Sequence, residues 1–231
     1  MDNVLIIIPT YNEKNNIVRL INNLLELEVN ILIVDDNSPD NTAKEVNNIF
    51  KDFKKVHLLI RQKKLGLGSA YRDGFKWGLE NNFDYLLEMD ADFSHRIDDL
   101  KKLISEKNNA DLIIGSRYIR YGKILGWSRR RRLLSVYANK FANYITNSKV
   151  KDMTSGFRVY SRKALEKIDF SNTKNNGYAF QIEMTVLTIN ENLDIKEVPI
   201  TFVEREKGKS KMSYKIVIEA LKYLLLFKLK N

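Results

Sequence analysis

Apolar runs of four to seven residues alternate with stretches of helical period through the first half of the chain. Asn3–Pro9 is an unbroken β-branched run, as expected of a strand covered on both faces. Thr10 or Asn12 can cap a helix running to about Leu27, with Ile17, Leu20, Ile21, Leu24 and Leu25 at helical spacing. Ile31–Val34 reads as a second buried strand, Asp40 to Thr42 as a helix start, and Val56–Ile60 as a third strand. A helix over Gly68 to Leu79 precedes a fourth strand, Tyr85 to Met89. Arg96 to Lys107 is then helical and Leu112–Gly115 a fifth strand. The second half is less regular: helices over Trp127 to Thr146 and Tyr178 to Asn190, a short strand at Phe157–Tyr160, and a strand Ile195–Val203 broken by Pro199. Strands alternating with helices of this length predict an α/β fold, a Rossmann-like and mostly parallel sheet flanked by helices, in one domain over residues 1–231.

Ligands of such sheets bind beyond the carboxyl ends of the strands, and polar residues converge there. Tyr11 and Glu13 follow the first strand, Asp35 and Asp36 the second, Asp90 and Asp92 the fourth, Ser116 and Arg117 the fifth. Two carboxylates at the mouth of a buried strand need a cation or a proton, because an unpaired buried charge is costly. Asp90 and Asp92 suit Mg²⁺ or Mn²⁺, which in turn clamps the phosphates of a nucleotide. Asp35 and Asp36 suit contacts to base or ribose, Tyr11 a stacked base and Glu13 ribose hydroxyls; helix capping is the plainer role for Asp40. The chain thus reads as an enzyme acting on a nucleotide diphosphate.

Further motifs refine that site. The glycine-rich turn Lys64-Leu-Gly-Leu-Gly-Ser-Ala-Tyr71 follows the third strand and carries tyrosine where a dinucleotide fingerprint has a third small residue, which disfavours a dehydrogenase. It reads instead as a tight turn bringing the next helix close to the sheet. Arg117 can neutralise a phosphate by bidentate bonding. The cluster Arg129–Arg132 beside Trp127 is either a solvated helix face or, as favoured here, a phosphate or lipid-headgroup site. The loop Glu204 to Lys211 can close over a diphosphate with Arg205 and Lys211 supplying charge, or be an ordinary surface loop.

Composition narrows the field. With 231 residues, 44% hydrophobic and 29% charged, the chain is globular. The absence of cysteine excludes disulfides and thiolate metal sites, and two histidines are too few for a histidine-based zinc site. A net charge of +10 suits a polyphosphate or an anionic lipid surface, although solvated lysines account for much of it. No reading motif for nucleic acid is present, so none is expected as a partner. Nothing at the start resembles a signal peptide, which points to the cytoplasm. The closing helix, about 213–230, is too short and too charged to span a bilayer and is either a core helix or one whose last turn faces a membrane.

The motifs in order resemble the family-2 glycosyltransferases, and within them the dolichyl-phosphate mannose synthases. They are Pro9-Thr-Tyr-Asn-Glu13, Val34-Asp-Asp-Asn-Ser-Pro-Asp-Asn-Thr42, Lys64 to Tyr71, Met89-Asp-Ala-Asp-Phe-Ser-His95, Gly115-Ser-Arg-Tyr118, Gly126-Trp127, Ser155-Gly-Phe-Arg158, Gly177-Tyr-Ala-Phe-Gln-Ile-Glu183, and Glu197 to Phe202 with Gly208 to Lys211. The resemblance implies a GT-A fold and inverting transfer of mannose from GDP-mannose to dolichyl (polyprenyl) phosphate. By similarity, Pro9, Tyr11, Glu13, Val34 and Asp36 bind the guanosine part, and Asp90, Ala91 and Asp92 the diphosphate. The metal falls to Asp90, Asp92 and Ser94, where some relatives carry a longer glutamine, so Ser94 acts directly or through a water. Arg117, Arg131, Arg205 and Lys211 meet phosphates of donor or acceptor, and Asp92 with the three arginines is expected to carry catalysis. The resemblance also implies a place on the cytoplasmic face of a membrane, with a separate small anchor subunit as one option. A UDP-sugar donor and a non-catalytic membrane-surface module are the alternatives. A lipid phosphate is largely a dianion at neutral pH, with a second pKa of about 6, so no protein base is required.

Overall fold

The computed structural model describes residues 3–205, 220 and 222–228. The five expected strands of the first half form as β1 (Val4–Thr10), β2 (Asn30–Asp35), β3 (Val56–Ile60), β4 (Tyr85–Glu88) and β5 (Leu112–Ser116). The helices between them are α1 (Lys14–Leu25), α2 (Thr42–Phe50), α3 (Leu67–Glu80) and α4 (Ile97–Ser105). The second half adds β6 (Lys123–Leu125), α5 (Arg129–Thr146), β7 (Arg158–Ser161), α6 (Arg162–Lys167), α7 (Gly177–Asn190), β8 (Ile195–Pro199) and β9 (Thr201–Val203).

Among the described residues seven strands make the main sheet in the order β3-β2-β1-β4-β7-β5-β8, with β7 alone antiparallel to its neighbours. Alternation along the strands sends successive side chains to opposite faces. Leu5, Ile7, Leu32, Val34 and Leu86 pack with Tyr71, Phe75 and Phe180 of α3 and α7 on one face. Ile6, Ile8, Ile31, Ile33 and Leu87 pack with Ile17, Leu20, Val46 and Leu100 of α1, α2 and α4 on the other.

The chain runs outward from β1 to β2 and β3, then returns to the far side of β1 as β4. That reversal leaves a crevice at the carboxyl ends of β1 and β4, where ligands of such sheets bind. The glycine-rich turn brings α3 onto the sheet as expected: a Cβ on Gly74 would meet Ile7 at 2.5 Å.

Three expectations are corrected. Helix α1 starts at Lys14 without a cap from Thr10 or Asn12; the Asp40 carboxylate accepts from Lys14 N at 3.1 Å and Thr42 N at 3.0 Å, serving two helix starts. The run Ile195–Val203 is two strands. Past Pro199 the chain leaves the main sheet, and β9 pairs with β6 in a separate two-stranded sheet. The helix at Arg129–Thr146 excludes Trp127, because Ser128 is its cap and accepts from Arg131 N. Of the closing helix, Ala220 and residues 222–228 are described and helical, with Leu224 buried and Leu225 and Leu226 exposed. Among the described residues no helix is long and apolar enough to cross a membrane.

Candidate active site

The crevice is a cleft of about 400 Å³. Pro9, Glu13, Lys64 and Gly66 line one end, Asp90, Ala91 and Asp92 the centre, and Arg117, Trp127, Arg131, Phe202 and Arg205 the other; Ser155, Gly156, Tyr178 and Gln181 line it too.

The turn after β4 is built by its own polar atoms. Phe93 takes a left-handed conformation, Asp92 Oδ1 accepts from Ser94 N at 3.0 Å, and His95 Nδ1 accepts from Asp90 N at 3.2 Å. His95 therefore carries its proton on Nε2. Burial pushes its pKa down to about 4, and its ring stacks on Phe157 at 4.3 Å. A neutral imidazole with its one acceptor occupied shapes the Asp90–Asp92 turn and is no general base.

Asp90 is partly open, and Asp92 Oδ2 is paired with Arg205 Nη2 at 3.2 Å. A guanidinium on Asp92 shows that the pair attracts a cation, and two carboxylates with room for phosphate oxygens fit a hard divalent ion. The third expected ligand is not brought there. Ser94 is buried and does not line the cleft; its carbonyl accepts from Val203 N at 3.1 Å. Among the described residues no group of three histidine or carboxylate ligands assembles, and of the three expected metal ligands only Asp90 and Asp92 line the cleft.

The arginines have partners of their own. Arg117 donates from Nε and Nη2 to the two oxygens of Asp152 at 2.7 Å each, and from Nη2 to Thr154 at 2.9 Å. Burial opposes charge on both members, yet the ion pair outweighs it, holding the Asp152 pKa low and the Arg117 pKa high. Arg117 thus enters the cleft as half of a neutral pair instead of a free cation. Arg131 lies 4.1 Å above the Trp127 ring and donates from Nη1 to Glu204 at 2.7 Å. Arg129, Arg130 and Arg132 are solvated, so the four-arginine anion site reduces to Arg131. Lys211 lies outside the described residues.

At the other end, Pro9 and Glu13 line the cleft as expected, whereas Tyr11 does not line it and has Lys64 Nζ 3.8 Å over its ring. Val34 is corrected: its side chain is wholly in the core. Asp36 is also corrected, because it binds Arg61 at 2.5 Å and Gly66 N at 3.3 Å and so anchors the glycine turn. Asp35 accepts from Thr10 and Ser38 and is structural.

A second cavity of about 100 Å³, almost wholly apolar, adjoins the cleft. Trp127, Arg131, Thr154 and Tyr178 line both; Leu134, Phe141, Ile182 and Leu224 belong to the apolar side. At this junction Trp127 Nε1 and Arg131 Nε are buried donors with no hydrogen-bond partner among the described residues. The roles of Asp152, His95 and Gln181 were missed from sequence. The histidine and glutamine stand inside quoted motifs, whereas nothing local marks Asp152.

Residues 5–169 match the family described as glycosyl transferase family 2. The chain is 43% identical over 221 residues to a polyprenol monophosphomannose synthase of Mycolicibacterium smegmatis, covering 94% of this chain and 83% of that protein. It is 42% identical to an undecaprenyl-phosphate mannosyltransferase of Micrococcus luteus, covering 94% and 90%. Among solved structures it resembles glucosyl-3-phosphoglycerate synthase of Mycobacterium tuberculosis with Mn²⁺, UDP-glucose and phosphoglyceric acid. That likeness has a TM-score of 0.74 at 15% identity over 98% of this chain and 80% of the other, and it concerns the fold.

Proposed function

Since the chain belongs to glycosyl transferase family 2, we propose that it transfers mannose from GDP-mannose to a polyprenyl phosphate of the dolichyl type, with inversion and with a divalent metal. The observation that carries the acceptor is the junction of the two cavities. Trp127 Nε1 and Arg131 Nε, donors without a partner among the described residues, stand where the cleft that holds Asp90, Asp92 and Arg205 meets an apolar cavity. A phosphate on an apolar tail matches that boundary, and the mannosyl acceptors named for the two relatives have this character.

The nucleotide lies toward Pro9, Tyr11 and Glu13, and its diphosphate at Asp90-Ala-Asp92. Bound there, Mg²⁺ or Mn²⁺ would be held by Asp90 and Asp92 and would neutralise the diphosphate. Arg205 exchanges Asp92 for a phosphate oxygen of the donor and so meets the charge that grows as GDP leaves. Arg131 fixes the acceptor phosphate in line with the anomeric carbon, which converts a collision into a positioned displacement. A single displacement by a phosphate dianion inverts that carbon without a protein base, in keeping with a neutral, hydrogen-bonded His95.

A lipid-linked acceptor supports a position against a membrane; the proposed side is the cytoplasmic face, and a small anchor subunit is compatible with it. Helix α5 offers a surface for it: Leu133, Leu134, Tyr137 and Tyr144 are exposed, and Leu134 also lines the apolar cavity.

Calorimetric titration tests the donor half. GDP-mannose in Mg²⁺ or Mn²⁺ should bind at least tenfold tighter than UDP-glucose, and Asp92→Ala should abolish the metal-dependent part while melting as the wild type does. Preference for UDP-glucose, or metal-dependent binding retained by the variant, would overturn this assignment.

A further inference from the structure

Gln181 lines the cleft from α7, is 1% exposed, and is held from every side but one. Its main-chain carbonyl accepts from Arg158 Nη1 at 3.0 Å and Thr185 Oγ1 at 2.9 Å. Its Nε2 donates to Glu88 Oε2 at 2.7 Å, and Glu88 lies on β4 two residues before Asp90. Gly156 leaves open the space next to that amide, a Cβ there standing 3.7 Å from Nε2. What remains on the amide is Oε1, buried and, like the neighbouring Glu88 Oε1, with no partner among the described residues.

Buried polar atoms are nearly always paired, and a fixed acceptor left without a donor costs stability unless a ligand supplies one. The groups around this acceptor narrow the ligand. It belongs to a residue lining the same cleft as Asp90, Asp92, Trp127 and Arg131, and its amide is tied to the end of β4 through Glu88. The part of a nucleotide sugar that follows the diphosphate is the sugar, whose hydroxyls are donors. We propose that Gln181 is a specificity-determining residue for the donor: its Oε1 accepts a hydrogen bond from one hydroxyl of the transferred hexose, and Glu88 is the positioning residue that holds the amide. This rests on the nucleotide-sugar reading above and adds the group that reads the sugar. A site built to receive a hydroxyl rejects the analogue lacking it more strongly than an apolar pocket does.

The test is a scan of GDP-mannose against its monodeoxy and monodeoxyfluoro analogues at carbons 2, 3, 4 and 6, with GDP as reference. In the wild type one position should lose roughly 5- to 50-fold in kcat/KM. The fluoro analogue should lose as much as the deoxy one there, since fluorine cannot donate. In Gln181→Met the penalty at that position should vanish, the parent sugar falling to the level of its analogue while GDP affinity is unchanged. Equal turnover of all analogues by the wild type would overturn the proposal without any variant. So would a fluoro analogue that retains activity, or a penalty that survives in Gln181→Met. Use of GDP-mannose with no hydroxyl dependence defeats this inference alone; failure to bind GDP-mannose defeats the donor reading and this inference with it.

Discussion

Asp152 decides what Arg117 can do. An arginine just past β5 is visible in the sequence, but the carboxylate that takes both of its donor edges comes from a segment 35 residues later. The same holds for Asp36 and Arg61, and for Gln181 and Glu88, pairs 25 and 93 residues apart. Local pattern therefore located the Asp90–Asp92 turn and the arginines, yet could not say which charges are already matched. Removing one partner of a buried pair leaves the other uncompensated, so Asp152→Asn should lower stability by about 3–5 kcal/mol in denaturant titration. Glu88 gives a prediction with a sign. Burial pushes its pKa from an ordinary 4.5 up to about 8, with Arg158 and Gln181 opposing. A carboxyl that keeps its proton longer when folded contributes stability fully present below pH 4.5, which is lost as pH rises toward about 8. The melting temperature of Glu88→Gln should thus gain on the wild type between those values and run parallel above them. A gap independent of pH would show that Glu88 ionises normally.

Elements with apolar runs or strongly periodic patterns were legible, the short β7 among them, whereas the three-residue strands β6 and β9 were not resolved as separate elements. Strands β1 to β5 are apolar runs flanked by polar turns, so their positions follow from burial on both faces. Strand β6 has three residues and forms only because β9 arrives beside it from 78 positions later, in the register Lys123 with Thr201. Pro199 signalled a break but not its consequence, a change of sheet that carries Glu204 to Arg131 and Arg205 to Asp92. Gly126 is part of this device: it has φ of +86°, and a Cβ there would stand 2.7 Å from that of Glu204. Helix α3 approaches β1 so closely at Gly74 that a methyl group collides with Ile7. Gly74→Ala should cost roughly 1–3 kcal/mol by overpacking, whereas an exposed helix glycine would gain stability from the same change; chemical denaturation separates the two signs.

Taken whole, the molecule joins a cleft lined by Pro9, Glu13, Asp90, Asp92 and Arg131 to an apolar cavity, in a chain of net charge +10. The exposed apolar residues of α5 extend from the cavity side. Leu133→Glu with Tyr137→Glu should lower binding to anionic vesicles about tenfold in a flotation assay while GDP-mannose affinity stays unchanged; equal flotation would remove α5 as the membrane contact. Transfer itself is the decisive observable. Labelled mannose from GDP-mannose should appear on a polyprenyl phosphate in the presence of Mg²⁺ or Mn²⁺, not on the same prenol lacking its phosphate, and Arg131→Ala should slow it at least a hundredfold at subsaturating acceptor. Label on the bare prenol, or undiminished transfer by Arg131→Ala, would contradict a phosphate seated at the junction of cleft and cavity.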